Sequence, residues 1–120
     1  MKVLIVDDES DITLILTRGL EISGYSVTAF NRPADALKHG ANAFDIAILD
    51  IRMPEMNGFQ LARKLWQQNT NLRVCFLSAF EIYEAEARRT LPSLKSYCFL
   101  KKPITPAALA AHIQMHFASQ

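Results

Sequence analysis

Cysteine, glycine and charge of one sign are all in short supply in this 120-residue chain. It has two cysteines and four glycines, and 13 basic residues against 12 acidic ones leave a formal charge of +1. Two cysteines lying inside apolar runs, Cys75 and Cys98, do not make the spaced framework of a disulfide scaffold, and they are expected to be buried, reduced thiols. The near-neutral balance excludes a polybasic nucleic-acid surface, so direct DNA binding is not expected. Long apolar runs are missing too. A membrane span needs about 20 apolar residues in succession, and no run here approaches that. The N-terminus, Met1-Lys2-Val3-Leu4-Ile5-Val6-Asp7-Asp8, stops in acid before a secretory core could form. There is no internal repeat, low-complexity tract or Ser/Gly linker. What remains is a chain with 50% hydrophobic and 21% charged residues, apolar enough to offset its ordering entropy. The expectation is one cytoplasmic domain over residues 1–120.

Short apolar runs alternate with helical patterns. Residues 3–6, 25–30, 44–49, 72–77 and 97–100 read as strands; the third and fourth, with Ile46-Ala47-Ile48-Leu49 and Val74-Cys75-Phe76-Leu77, are continuous enough to be covered on both faces. Ser26 and Thr28 alternate with Tyr25 and Val27, which suits a sheet edge. Ile12, Ile15, Leu16 and Leu20 recur at helical spacing, and Gly24 is placed to end that helix. Asn31 is read as the cap of a short helix that tolerates Pro33 in its first turn and closes at Gly40. Phe59, Ala62 and Trp66, with Leu61 and Leu65 beside them, mark a third helix. Residues 81–91 carry a weaker stripe of Ile82, Ala85 and Leu91. Thr105-Pro106 caps the last helix, whose buried stripe is Leu109, Ile113 and Phe117. Five strands alternating with five helices predict a doubly wound α/β domain with a parallel sheet, whose binding crevice lies at the carboxyl ends of the strands.

That rule selects a small set of residues. The first strand ends at Asp7-Asp8, the third at Asp50, the fourth at Ser78 and the fifth at Lys101-Lys102-Pro103. Any one acid there also fits a helix cap or a turn. Together they bring three carboxylates, a hydroxyl and an ammonium to one crevice. Two carboxylates at about 4 Å repel by about 4 kcal/mol at an effective dielectric of 20, so the cluster calls for a cation. An all-oxygen donor set suits Mg²⁺, and there is no Cys/His set for zinc at these strand ends.

The segments Val6-Asp7-Asp8-Glu9, Leu49-Asp50-Ile51-Arg52-Met53-Pro54, Asn57-Gly58, Leu77-Ser78-Ala79 and Phe99-Leu100-Lys101-Lys102-Pro103 make the chain resemble, over its whole length, the receiver domain of two-component response regulators, of the kind found in chemotaxis. The resemblance implies a flavodoxin-like (βα)5 fold with strand order 2-1-3-4-5. It also implies that Asp50 is the phosphoacceptor, that Asp7 and Asp8 hold Mg²⁺ with Asp50 and the backbone carbonyl of Arg52, and that Lys102 pairs with the phosphoryl group. Ser78 is the switch hydroxyl, Phe99 the aromatic that moves with it, Pro103 follows a cis peptide, and Gly58 has a structural role. The implied partners are a sensor histidine kinase or phosphotransfer protein, and an output domain or protein on the face of the fourth helix, fifth strand and last helix. That face can alternatively take a second receiver in a phosphorylation-dependent dimer. No small-molecule turnover is implied beyond the chain's own phosphorylation and dephosphorylation.

The stretch from Thr90 to Ser96 lacks the Gly-Ala step common in such domains, which leaves the shape of that face open. Phe80 and Arg52 flank the phosphosite, where they would tune phosphate lifetime. His112 and His116, four apart on the last helix, read as a helix face because no third ligand is evident in sequence. His39 sits at a helix end, where it favours the dipole. Two other functions fit less well. An unphosphorylated adaptor would not need the full set of chemical groups, and a Mg²⁺-dependent aspartyl-phosphate phosphohydrolase would carry an Asp-x-Asp pattern after its first strand.

Overall fold

Alternation of apolar residues decides how each strand is covered. In β1 (Lys2–Val6), Leu4 and Val6 face one side of the sheet, while Val3 and Ile5 face the other. The same division runs through β3 (Ile46–Asp50) and β4 (Arg73–Ser78), with Ala47, Leu49, Val74 and Phe76 on the first side and Ile46, Ile48, Cys75 and Leu77 on the second. A strand apolar on both faces must be covered on both, which selects a central parallel sheet between helical layers. The computed structural model, which describes residues 1–79, 83–91, 95 and 97–116, has this arrangement. With β2 (Ser26–Phe30) and β5 (Tyr97–Lys101) at the two edges, the sheet is parallel throughout in the order β2-β1-β3-β4-β5. The expected doubly wound fold and strand order are therefore observed.

Among the described residues five helices complete the unit: α1 (Ser10–Ile22), α2 (Pro33–His39), α3 (Gly58–Gln68), α4 (Tyr83–Thr90) and α5 (Pro106–His116). Helix α3 starts at a reciprocal cap, in which the Asn57 side chain accepts from the Gln60 amide and the Gln60 side chain accepts from the Asn57 amide, both at 2.9 Å. Its buried face holds Phe59, Leu61, Ala62, Leu65 and Trp66, and the Trp66 indole donates to the Leu72 carbonyl at 2.8 Å. Thr105 caps α5 through the Ala108 amide at 3.1 Å, and Leu109 and Ile113 are fully buried beneath it. Where α1 crosses the start of α5, Gly19 makes room: a Cβ there would lie 1.9 Å from Cβ of Pro106.

Several expectations change. Asn31 does not cap α2; that position is taken by Arg32, whose side chain makes no capping bond, and the Asn31 amide instead donates to the Asp7 carbonyl and the Thr13 hydroxyl. A long-range pair of bonds to β1 and α1 outcompetes a local one. Ile15, expected on the buried stripe of α1, is 57% exposed, because Thr13, Leu16 and Leu20 form the inward face. Helix α4, described over Tyr83–Thr90, buries Ala87 and leaves Ala85 exposed, and residues 81 and 82 of the expected helix lie outside the described residues. Cys98 is only half-buried, on the edge strand. Phe80, Ile82, Phe117 and residues 92–94 and 96, and the side chain of His116, lie outside the described residues. Among the described residues, no helix is long and apolar enough to cross a membrane.

Candidate functional site

Each strand-end residue is delivered by backbone bonds that continue the sheet. The Asp7 amide donates to the Phe30 carbonyl at 3.2 Å, and the Asp7 carbonyl accepts from Asn31 at 2.9 Å, so Asp7 is fixed between β1 and the end of β2. Asp50 and Ser78 are the last residues of β3 and β4, and the Ile51 amide donates to the Leu77 carbonyl at 3.2 Å. Beyond β5, the Lys102 amide donates to the Ser78 carbonyl at 2.8 Å, and Lys102–Pro103 is the expected cis peptide. Gly58 has a reason visible only in three dimensions. A Cβ on it would come within 2.4 Å of the Asp50 carbonyl oxygen and 3.0 Å of Cα of Ile51, so only glycine lets α3 start against the end of β3.

The side chains then meet. Asp7 is completely buried and Asp50 is 5% exposed, an environment in which isolated charges are costly. The Lys102 ammonium compensates them, lying 2.8 Å from Asp7 Oδ2, 3.2 Å from Asp50 Oδ1 and 3.8 Å from Glu9 Oε1. Asp7 Oδ1 accepts from the Glu9 amide at 2.9 Å, whereas Oδ2, which has no hydrogen bond of regular geometry among the described residues, faces the Lys102 ammonium. One carboxylate oxygen from each of Asp7, Asp8 and Asp50 falls within 4.8 Å of the others. Burial, and then the charge of Asp7, push the Asp50 carboxyl up from 3.8 to about 6, against the lowering effect of Lys102. Burial alone would push the Lys102 ammonium down; Asp7 and Asp50 outweigh it and hold its pKa above 10.5.

Beside these groups is a cleft of about 130 Å³ lined by Glu9, Asp50, Arg52, Ser78 and Lys102. At about 30 Å³ per water it has room for roughly four water-sized occupants. Three oxygen donors around a buried, incompletely satisfied carboxylate fit a hard divalent cation of the Mg²⁺ kind. The residues named from sequence, Asp7, Asp8, Asp50, Arg52, Ser78 and Lys102, thus surround one place, which the Lys102 ammonium reaches. Phe99 stands one strand over, half-buried and stacked on Phe76 at 5.4 Å.

Sequence reasoning missed two features. Glu9 contributes a third acid around Lys102. Separately, Cys75, Cys98 and His112 form a second cluster, away from the strand ends, whose three ligand atoms also lie within 4.8 Å of one another. The signal for it was two cysteines on neighbouring strands, but without the strand register that spacing says nothing about contact.

Comparison with known proteins places these observations in a wider group. The family described as response regulator receiver domain matches residues 3–114. The response regulator SaeR of Staphylococcus aureus (strain USA300) is 34% identical over 110 residues, covering 92% of this chain and 47% of SaeR. The chain therefore spans about half the length of the curated relatives it matches. Among solved structures, the chemotaxis protein CheY4 of Vibrio cholerae superposes with a TM-score of 0.83 at 26% identity, over 97% of this chain and 98% of that one. The response regulator TrrA of Thermotoga maritima, solved in complex with Mg²⁺–BeF, gives 0.77 at 26% identity over the same shares of the two chains.

Proposed function

The chain belongs to the response-regulator receiver family of two-component signalling, and from that premise we propose that Asp50 accepts a phosphoryl group in a Mg²⁺-dependent reaction that resets a partner-binding face. The observation that carries this reading is the Lys102 ammonium spanning Asp7 and Asp50 at the rim of a cleft that Ser78 also lines. An Asp50 carboxylate oxygen attacks the phosphorus of a phosphohistidine or an acyl phosphate; the new P–O bond forms as the P–N or acyl P–O bond breaks, and the leaving group keeps that electron pair. Asp7, Asp8, Asp50 and the Arg52 carbonyl are the groups that would hold Mg²⁺. When bound, the ion neutralises charge on the phosphoryl oxygens. Lys102 trades its contact with the ionised Asp50 for one with the phosphoryl group, and Ser78 donates its hydroxyl to a phosphoryl oxygen. The Mg²⁺–BeF complex of the Thermotoga maritima relative is consistent with this assignment.

Phosphorylation changes the charge seen by Ser78 and Lys102, and Lys102 directly follows β5. Phe99, on the same strand, packs against Phe76, Tyr97 and Phe59, so a shift of Ser78 toward the phosphate frees space into which its ring turns. The α4–β5–α5 face then presents a changed surface to an output domain, an output protein or a second receiver. The phosphodonor is a sensor histidine kinase or phosphotransfer protein. An apolar groove of about 440 Å³ lined by Ile12, Ile15, Leu16 and Ile104 suits its approach, because Ala79 and Lys102 border both that groove and the phosphosite cleft. The whole of residues 1–120 acts as one cytoplasmic receiver, a signalling protein and not a small-molecule enzyme.

The test is incubation with acetyl phosphate, with and without Mg²⁺, followed by intact mass, in parallel with Asp50→Asn. One phosphoryl adduct requiring both Mg²⁺ and Asp50 is expected. Absence of any adduct would overturn the proposal.

A further inference from the structure

The parallel register pairs Cys75 of β4 with Cys98 of β5. Paired residues on adjacent strands point to the same side of a sheet, so the two thiols stand side by side beneath α5. From α5, His112 completes the group, with Nε2 3.1 Å from Sγ of Cys98. Cys75 is fully buried among apolar neighbours, whereas Cys98 and His112 are half-exposed. The cluster therefore has a closed inner end and an open outer one.

Two sulfurs and an imidazole nitrogen are donors for a borderline or soft metal ion, and Mg²⁺ is a poor match for them. Zinc bonds to sulfur at about 2.3 Å and to nitrogen at about 2.0–2.1 Å; tetrahedral angles then set the donors about 3.5–3.8 Å apart. The three donor atoms here all lie within 4.8 Å of one another, with one pair at 3.1 Å, which is within about 1 Å of that spacing for every pair. Charge also favours a divalent ion. Two thiolates and a neutral imidazole balance it, and no net charge is left in an apolar layer. We infer that Cys75, Cys98 and His112 bind a zinc-type divalent ion, with the fourth position open toward the exposed side. The ion would tie β4, β5 and α5 together. Metal binding here does not depend on the phosphoryl chemistry; only its effect on the output face rests on that reading.

The test uses the reduced, chelator-treated chain, with excess Mg²⁺ present to keep other divalent ions off the acidic crevice, titrated with Co²⁺ and then Zn²⁺. One equivalent of Co²⁺ should produce a thiolate-to-cobalt charge-transfer band in the near ultraviolet and tetrahedral bands in the visible, both abolished by one equivalent of Zn²⁺. Loss of even an outer-shell partner weakens a metal site about 10- to 100-fold, so Cys98→Ala and His112→Gln should each weaken Zn²⁺ binding by at least about 100-fold. Both positions are half-exposed and their variants should keep the fold, verified by circular dichroism; Asp50→Asn should leave the cobalt spectrum unchanged. A folded chain with no thiolate-to-cobalt band, or a band that survives Cys98→Ala and His112→Gln, would overturn the inference. Neither result bears on acetyl phosphate labelling, so the two readings fail separately.

Discussion

The molecule holds two three-residue clusters, each with its donor atoms within 4.8 Å of one another, built in opposite ways. Asp7, Asp8 and Asp50 are hard oxygen donors at the ends of strands, held among like charges by Lys102. Cys75, Cys98 and His112 are soft donors along the strands and under a helix, with apolar neighbours around the cysteines. The first cluster gathers more carboxylates than the one Lys102 ammonium can offset, which favours a further cation beside it. The second lies in an apolar layer, where the hydrogen bond to Cys98, and then burial, push the Cys75 thiol far up and oppose charge on it. Proximity of donors alone does not make a reactive site; the charge left over after the protein has neutralised itself does.

The sharpest way to separate the clusters is to remove the acceptor. Asp50→Asn should abolish the phosphoryl adduct while leaving the sulfur-cobalt spectrum intact, with mass spectrometry and absorption as the two readouts. Lys102→Met comes next. Loss of one preorganised charge in such chemistry typically costs about 10²–10³ in rate, measured as labelling by acetyl phosphate in Mg²⁺. The same variant leaves Asp7 and Asp50 buried and unpaired, at a cost of about 3–5 kcal/mol in urea titrations at pH 7.5 without Mg²⁺. Added Mg²⁺ should recover part of it.

A third experiment varies pH. The folded chain holds the Asp50 proton to about 6, whereas the unfolded chain releases it near 3.8. Folded chains thus bind more protons across that window, and the stability Asp50 contributes is full below about pH 4 and lost as the pH rises through 6. The gap is worth roughly 3 kcal/mol, so Asp50→Asn should melt several degrees above the parent chain at pH 7.5 without Mg²⁺. The advantage should shrink toward pH 4, and an advantage independent of pH would contradict this account. Gly58→Ala tests the backbone under the acidic cluster. Its Cβ needs a shift of the Asp50 carbonyl, expected to cost about 1–3 kcal/mol in denaturant and to slow labelling. The smallest effect is expected from Cys98→Ser in metal-free buffer: acetyl phosphate labelling within about twofold of the parent and a stability change under about 1 kcal/mol.

Much of this was legible in the sequence because parallel sheets have a rule for it. Strand ends can be read from apolar runs, and ends of parallel strands converge, so Asp7, Asp50, Ser78 and Lys102 could be placed together before any distance was known. Features that depend on register or on long-range competition could not. Asn31 looked like a cap, yet its amide reaches Asp7 and Thr13. Ile15 looked buried by spacing, yet α1 is rotated to bury Thr13. The contact of Cys75 with Cys98 hangs on a one-residue choice of pairing between β4 and β5.

The glycine contact between α1 and α5 carries a mechanical consequence. Because Gly19 has no side chain, α1 comes so near Pro106, the first residue of α5, that an added methyl group would overlap the proline ring. Any tilt that keeps this contact turns about Pro106, and His112, six residues along, lies about 9 Å from that pivot. A tilt of roughly 6° would then carry the imidazole about 1 Å, a displacement that a ligand clamped between helix and sheet could hold or release.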